Sequence, residues 1–124
     1  MRTLQRSILL LLTLGLLACT PLEQSARNTA AALQGALTAA QTQYQSTCTT
    51  NAKQPACVAI NEAIAGENAL VTATEAYCGW KAGTIAPGTT LSAACVPVKS
   101  AAAGLTQAIA NANLFITELK GVIQ

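Results

Sequence analysis

The chain has 124 residues, of which 10% are charged and 3% aromatic, and it contains no histidine. Its formal net charge of +2 comes from Arg2 and Arg6, because residues 19–124 carry five basic and five acidic side chains. The length suits one small domain. A neutral domain without a basic stripe cannot neutralise phosphates, so nucleic acid is excluded as an expected partner.

The amino-terminal segment has the order of an export signal. Arg2 and Arg6 precede an apolar run over residues 8–18, which only Thr13 and Gly15 interrupt. A membrane-spanning helix needs about 20 apolar residues, so this run is too short to span a bilayer. A positive start followed by a short apolar core is typical of a signal peptide.

The end of this run, Leu16-Leu17-Ala18-Cys19, resembles the lipobox of bacterial lipoproteins. The resemblance implies that the signal peptide 1–18 is removed, that the Cys19 thiol carries diacylglycerol, and that its new amine is acylated. The mature domain is then 19–124. The alternatives are an ordinary export signal followed by an unpaired thiol, or an uncleaved anchor.

Four further cysteines remain, namely Cys48, Cys57, Cys78 and Cys95. An even number of cysteines in an exported protein predicts two disulfides, because the compartment is oxidising. A zinc site is the rival interpretation. The chain has no C-x-x-C pair and no histidine, so we expect no metal and no cofactor.

The first predicted helix covers about 20–47. Thr20 can cap it, Pro21 suits its first position, and Glu23 completes a capping box. Apolar residues and one tyrosine then recur every three or four positions, which is typical of a packed helix face. They are Ala26, Ala30, Leu33, Leu37, Ala40 and Tyr44. The small polar residues of 46–55 predict a break.

The second predicted helix covers about 55–78, with Pro55 in its first turn. It has a broad apolar face, made of Ala59, Ile60, Ala63, Ile64, Gly66, Leu70, Val71, Ala73 and Tyr77. Glu62, Asn68 and Glu75 fall on the opposite face, where we expect solvent. A loop over residues 79–90, containing three glycines and a proline, follows.

The third predicted helix covers about 96–121, with Pro97 near its start because an interior proline costs about 3 kcal/mol. Its apolar track is the most regular one: Val98, Ala102, Leu105, Ile109, Ala112, Ile116, Leu119 and Ile123. The three helices predict an all-α, up-down-up three-helix bundle. A loop-rich disulfide fold is the alternative, but it would leave this periodicity unused.

Helix length decides among the possible disulfide pairings. A helix between Cys57 and Cys78 would separate them by about 32 Å, whereas a disulfide needs Cα atoms about 5.5–6 Å apart. An intact second helix therefore excludes that pair. In the up-down-up topology Cys48 ends the first helix beside Cys57, and Cys95 begins the third beside Cys78. The predicted pairing is therefore Cys48–Cys57 and Cys78–Cys95, with each bridge stapling one interhelical loop and contributing about 3 kcal/mol.

The topology returns the 79–90 loop to the end of the bundle where the first helix starts. If Cys19 is lipidated, Trp80, Lys81 and Ile85 then lie near the membrane. Tryptophan favours the bilayer interface, so we expect Trp80 to enter the headgroup region. The alternative is that Trp80 caps the core beside the Cys78–Cys95 bridge.

No residue pattern in the chain indicates a nucleophile, a general base or a metal site, so we expect no enzyme activity. The sequence predicts a lipid-anchored cell-envelope protein with a structural or protein-interaction role, whose partners are the membrane and an unidentified envelope protein. The alternative is a carrier of an apolar ligand. In Gram-negative lipoproteins an aspartate after the lipidated cysteine favours retention in the inner membrane, and here that residue is Thr20. In a Gram-negative cell we therefore expect the protein to be anchored in the outer membrane, facing the periplasm.

Overall fold

A computed structural model describes residues 21–85 and 95–123. Cys19, the predicted signal peptide 1–18 and the loop residues 86–94 lie outside the described residues. The described part folds into three α-helices, with a short 3₁₀ turn before the last one: α1 (Pro21–Thr50), α2 (Pro55–Tyr77), the turn (Lys99–Ala101) and α3 (Ala102–Ile123). Every helix packs against both others, which confirms the predicted three-helix bundle.

Helix α1 ends at Thr50, three residues beyond the predicted end. The hydroxyls of Thr49 and Thr50 donate hydrogen bonds to the carbonyls of Gln45 and Ser46, at 2.8 and 2.7 Å. Threonine hydroxyls can also stabilise a turn that competes with a helix. Here both hydroxyls bond to carbonyls of the helix itself, so the helix continues to Thr50. Only residues 51–54 then connect α1 to α2.

The predicted start of the third helix at residue 96 is wrong. The backbone N–H of Val96 donates to the carbonyl of Cys78 at 3.3 Å, and that of Val98 donates to Tyr77 at 2.8 Å. The extended segment 95–98 thus satisfies carbonyls that the end of α2 would leave unpaired. Pro97 lies between the two donors, where its missing N–H costs nothing.

The core forms where the apolar tracks of the three helices meet. Its largest fully buried side chains are leucines from all three helices: Leu33, Leu37, Leu70, Leu105 and Leu119. Val98, predicted as the first residue of the α3 track, is instead 37% exposed because the helix begins only after it. The other predicted members of the α3 track are buried or half-buried.

Both predicted disulfides are confirmed. Cys48 and Cys57 are bridged with their Cα atoms 5.5 Å apart, and Cys78 and Cys95 are bridged with theirs 4.4 Å apart. The first bridge joins the end of α1 to the start of α2, and the second joins the end of α2 to the segment before α3. Helix α2 is therefore held covalently at both ends.

Helices α2 and α3 approach closely at Gly66. This glycine is buried, and a Cβ atom at its position would overlap the ring of Phe115 on α3. The ring lies where any larger residue on α2 would place its side chain. Gly66 is therefore a packing residue, and its small size sets the distance between the two helices.

We expect Gly66→Ala to lower the free energy of unfolding by about 1–2 kcal/mol. Overpacking costs about 1–3 kcal/mol, which exceeds the gain of about 1 kcal/mol in helix propensity. Gly35→Ala on α1 is the matched control, because a Cβ there meets nothing within 4 Å. It should stabilise by up to about 1 kcal/mol. Urea unfolding of both variants measures the difference, and equal stabilisation would contradict the close approach.

Candidate functional site

The start of α1, the end of α2 and the segment before α3 meet at one end of the bundle. The Glu23 carboxylate and the sulfur atoms of Cys78 and Cys95 all lie within 4.8 Å of one another. We call this region the Cys78 end, and it comprises residues 21–27, 75–85 and 95–101. The other end, around the Cys48–Cys57 bridge, is the Cys48 end.

Helix α1 begins at the Cys78 end, at Pro21. The predicted lipid site, Cys19, lies outside the described residues and precedes Pro21 by two positions in the sequence. The start of α1 and the loop carrying Trp80 therefore lie at the same end of the bundle, as the predicted topology requires.

Glu23 is almost fully buried at this end, with 3% of its surface exposed. Its Oε1 accepts a hydrogen bond of 2.7 Å from Nη2 of Arg27, one turn along α1. The charge of this buried carboxylate is thus balanced by a neighbouring guanidinium. The adjacent sulfurs form a disulfide and offer no thiolate, so the cluster of Glu23, Cys78 and Cys95 lacks the ligands that zinc requires.

The prediction that Glu75 faces solvent is wrong, because only 5% of its surface is exposed. Its Oε2 accepts the backbone N–H of Ile85 at 3.1 Å, and its carbonyl accepts the N–H of Trp80 at 2.9 Å. The loop therefore folds back over the last turn of α2 and covers the carboxylate. Gly79 and Gly83 allow these bends, since their φ angles are +68° and +86°.

The three residues predicted at the membrane interface lie in different environments. Trp80 is half-buried and packs against the core cluster that includes Cys78. Lys81 is exposed, and Ile85 is half-buried. This placement of Trp80 matches the alternative in which the ring caps the core beside the Cys78–Cys95 bridge. A membrane contact by these residues stays a prediction.

The Cys48 end carries an open groove of about 530 Å³. Its lining is mostly hydroxyl and amide side chains: Thr38, Gln41, Thr42, Tyr44, Gln45, Cys48, Thr49 and Ile60. The hydroxyls of the three threonines donate back to carbonyls of α1. Because this groove is open, it would leave most of a bound ligand in contact with water, so it gives the carrier alternative no support.

Glu67 is the described carboxylate with a perturbed titration. It is half-buried on α2, and burial raises its pKa because desolvation disfavours the ionised form. Within residues 21–85 and 95–123 its carboxylate makes no hydrogen bond and no ion pair. General acid–base catalysis needs a second polar group within hydrogen-bond reach of the carboxylate, and no described residue bonds to the carboxylate of Glu67.

Comparisons of the chain with protein-family models, with curated proteins and with solved structures found no match. Among the described helices, none combines the length and the apolar character needed to cross a membrane.

We expect Glu75→Ala to destabilise the Cys78 end by about 1–3 kcal/mol, because the Ile85 N–H loses its acceptor. Glu75→Gln keeps an acceptor oxygen and should cost less. Glu62→Ala, at an exposed position on the same helix, is the control and should change stability by less than about 0.5 kcal/mol. Urea unfolding and amide exchange at Ile85 report the effect. Unchanged exchange at Ile85 in Glu75→Ala would show that the carboxylate does not hold the loop.

Proposed function

We propose that this chain is a non-catalytic, lipid-anchored protein of the bacterial cell envelope, with a structural or protein-interaction role. The observation that carries the proposal is the sequence Leu16-Leu17-Ala18-Cys19 at the end of a short apolar run that two arginines precede. In this proposal Cys19 is the first residue of the mature chain and carries the lipid.

The cysteine pairing supports an exported location. The other four cysteines form two disulfides, which leaves Cys19 without a partner in the chain. Disulfides persist in oxidising compartments such as the bacterial periplasm and are rare in the cytosol. An odd cysteine in an exported protein needs its own explanation, and lipidation provides one.

The position of α1 supports a short, direct anchor. The helix begins at Pro21, so only Thr20 separates it from the proposed lipid site. Its 30 residues at 1.5 Å each extend about 45 Å. An anchor at the Cys78 end would hold the Cys48 end away from the bilayer, where an envelope partner can reach it.

The proposed location within a Gram-negative envelope follows from Thr20. The residue after the lipidated cysteine is threonine here, whereas aspartate at that position favours retention in the inner membrane. We therefore propose that the protein is anchored in the outer membrane and faces the periplasm. The unidentified partner is then another protein of that compartment.

We expect Cys19→Ala to remove the protein from the membrane fraction or to leave the signal peptide uncleaved. One acyl chain gives only marginal membrane binding, at about 0.8 kcal/mol per buried CH₂, whereas several chains anchor a protein firmly. The measurements are membrane fractionation and intact mass after expression of the full chain in a bacterium.

The matched control is the double variant Cys48→Ser, Cys57→Ser. It removes two cysteines and one disulfide but keeps the proposed lipid site, so it should remain in the membrane with the lipid mass. A wild-type protein without added acyl mass, or a Cys19→Ala variant with unchanged fractionation and mass, would refute the anchor.

A further inference from the structure

The extended segment before α3 exposes a small apolar surface at the Cys78 end. Val96 is 70% exposed and Val98 is 37% exposed, and the exposed Pro97 lies between them. The backbone N–H groups of both valines are bound to carbonyls at the end of α2. The segment is therefore fixed in place, and its apolar side chains are presented outward from a rigid backbone.

The lysine side chains exposed at the Cys78 end are not balanced by exposed carboxylates of that end. Lys81 and Lys99 are both exposed, whereas the two carboxylates of this end, Glu23 and Glu75, are buried and bonded. The loop residues 86–94 contain no ionisable side chain. A mature chain of zero net charge thus presents a basic, apolar surface at one end.

We propose that Val96, Pro97 and Val98, flanked by Lys81 and Lys99, form a second, non-covalent contact of this protein with the bilayer. The three apolar side chains enter the headgroup region, and the two lysines pair with anionic headgroups. The proposal rests on the lipid anchor at Cys19. It differs from the sequence-based expectation, because Trp80 is half-buried against the core cluster and the valine segment is the part that meets the lipid.

The tether explains why so small a surface is sufficient. Cys19 precedes Pro21 by two residues, and two residues span at most about 7 Å, so acyl chains on Cys19 would hold the Cys78 end at the membrane surface. The contact of the valine segment is then intramolecular and benefits from a high effective concentration. A single attachment point leaves the bundle free to tilt, and a second contact fixes its orientation.

The charges select a lipid surface over a second copy of the chain. A self-contact would bring Lys81 and Lys99 against the same two lysines of the partner copy. The exposed carboxylates Glu62 and Glu118 lie in the opposite half of the bundle, too far away to pair with them. Anionic lipid headgroups supply the missing negative charge.

The experiment places the only tryptophan of the lipidated protein at the proposed contact. In a Trp80→Phe background, Val96→Trp is compared with Leu114→Trp, an α3 position that is 64% exposed. Each protein is purified from membranes and reconstituted into vesicles of phosphatidylethanolamine and phosphatidylglycerol. We expect lipids brominated near the headgroup to quench Val96→Trp several-fold more strongly than Leu114→Trp. Adding Lys81→Gln and Lys99→Gln should reduce that quenching.

Intact mass, measured before reconstitution, separates the two hypotheses. A chain without acyl mass refutes the anchor, and the proposed surface with it. An acylated chain in which Val96→Trp is quenched no more than Leu114→Trp refutes the surface alone. A blue shift without bromine quenching would mean that protein covers the segment, which also refutes it. Val98→Trp repeats the test if Val96→Trp does not fold.

Discussion

Helix α2 carries a cysteine at each end, and its length prevents those two cysteines from reaching each other. About 32 Å separates them along the helix, against the 5.5–6 Å that a disulfide allows. Each end must therefore bond to a different neighbour, at Cys48 and at Cys95. This constraint makes the helices antiparallel in turn, and it brings the start of α1, the Trp80 loop and the start of α3 to one end.

The two ends differ in chemistry as a result. The Cys78 end buries two carboxylates and exposes two lysines and a valine–proline–valine segment. The Cys48 end instead has an open groove with hydroxyl and amide side chains. A lipid at Cys19 would attach at the basic, apolar Cys78 end and leave the groove of the Cys48 end in solvent. The proposed anchor is thus consistent with the surface that the Cys78 end exposes.

The sequence predicts what depends on periodicity and on length, including the three helices and both disulfides. The sequence-based prediction fails where a residue's environment is set by a hydrogen bond to the backbone of another segment. The position of Glu75 on the helix indicates solvent, but the loop residue Ile85 returns to it and buries it. The regular track at Val98 predicts helix, but its N–H instead bonds to Tyr77. Periodicity describes one helix at a time and carries no information about such contacts.

Mapping the disulfides in the purified protein tests the role of α2 most directly. Trypsin and a glutamate-specific protease, used together without reduction, cut between every pair of neighbouring cysteines in residues 48–95. An intact α2 predicts that peptide 28–53 is linked to 54–62, and that 76–81 is linked to 82–99. A link between 54–62 and 76–81 would contradict it, because those cysteines can meet only if α2 is not a continuous helix.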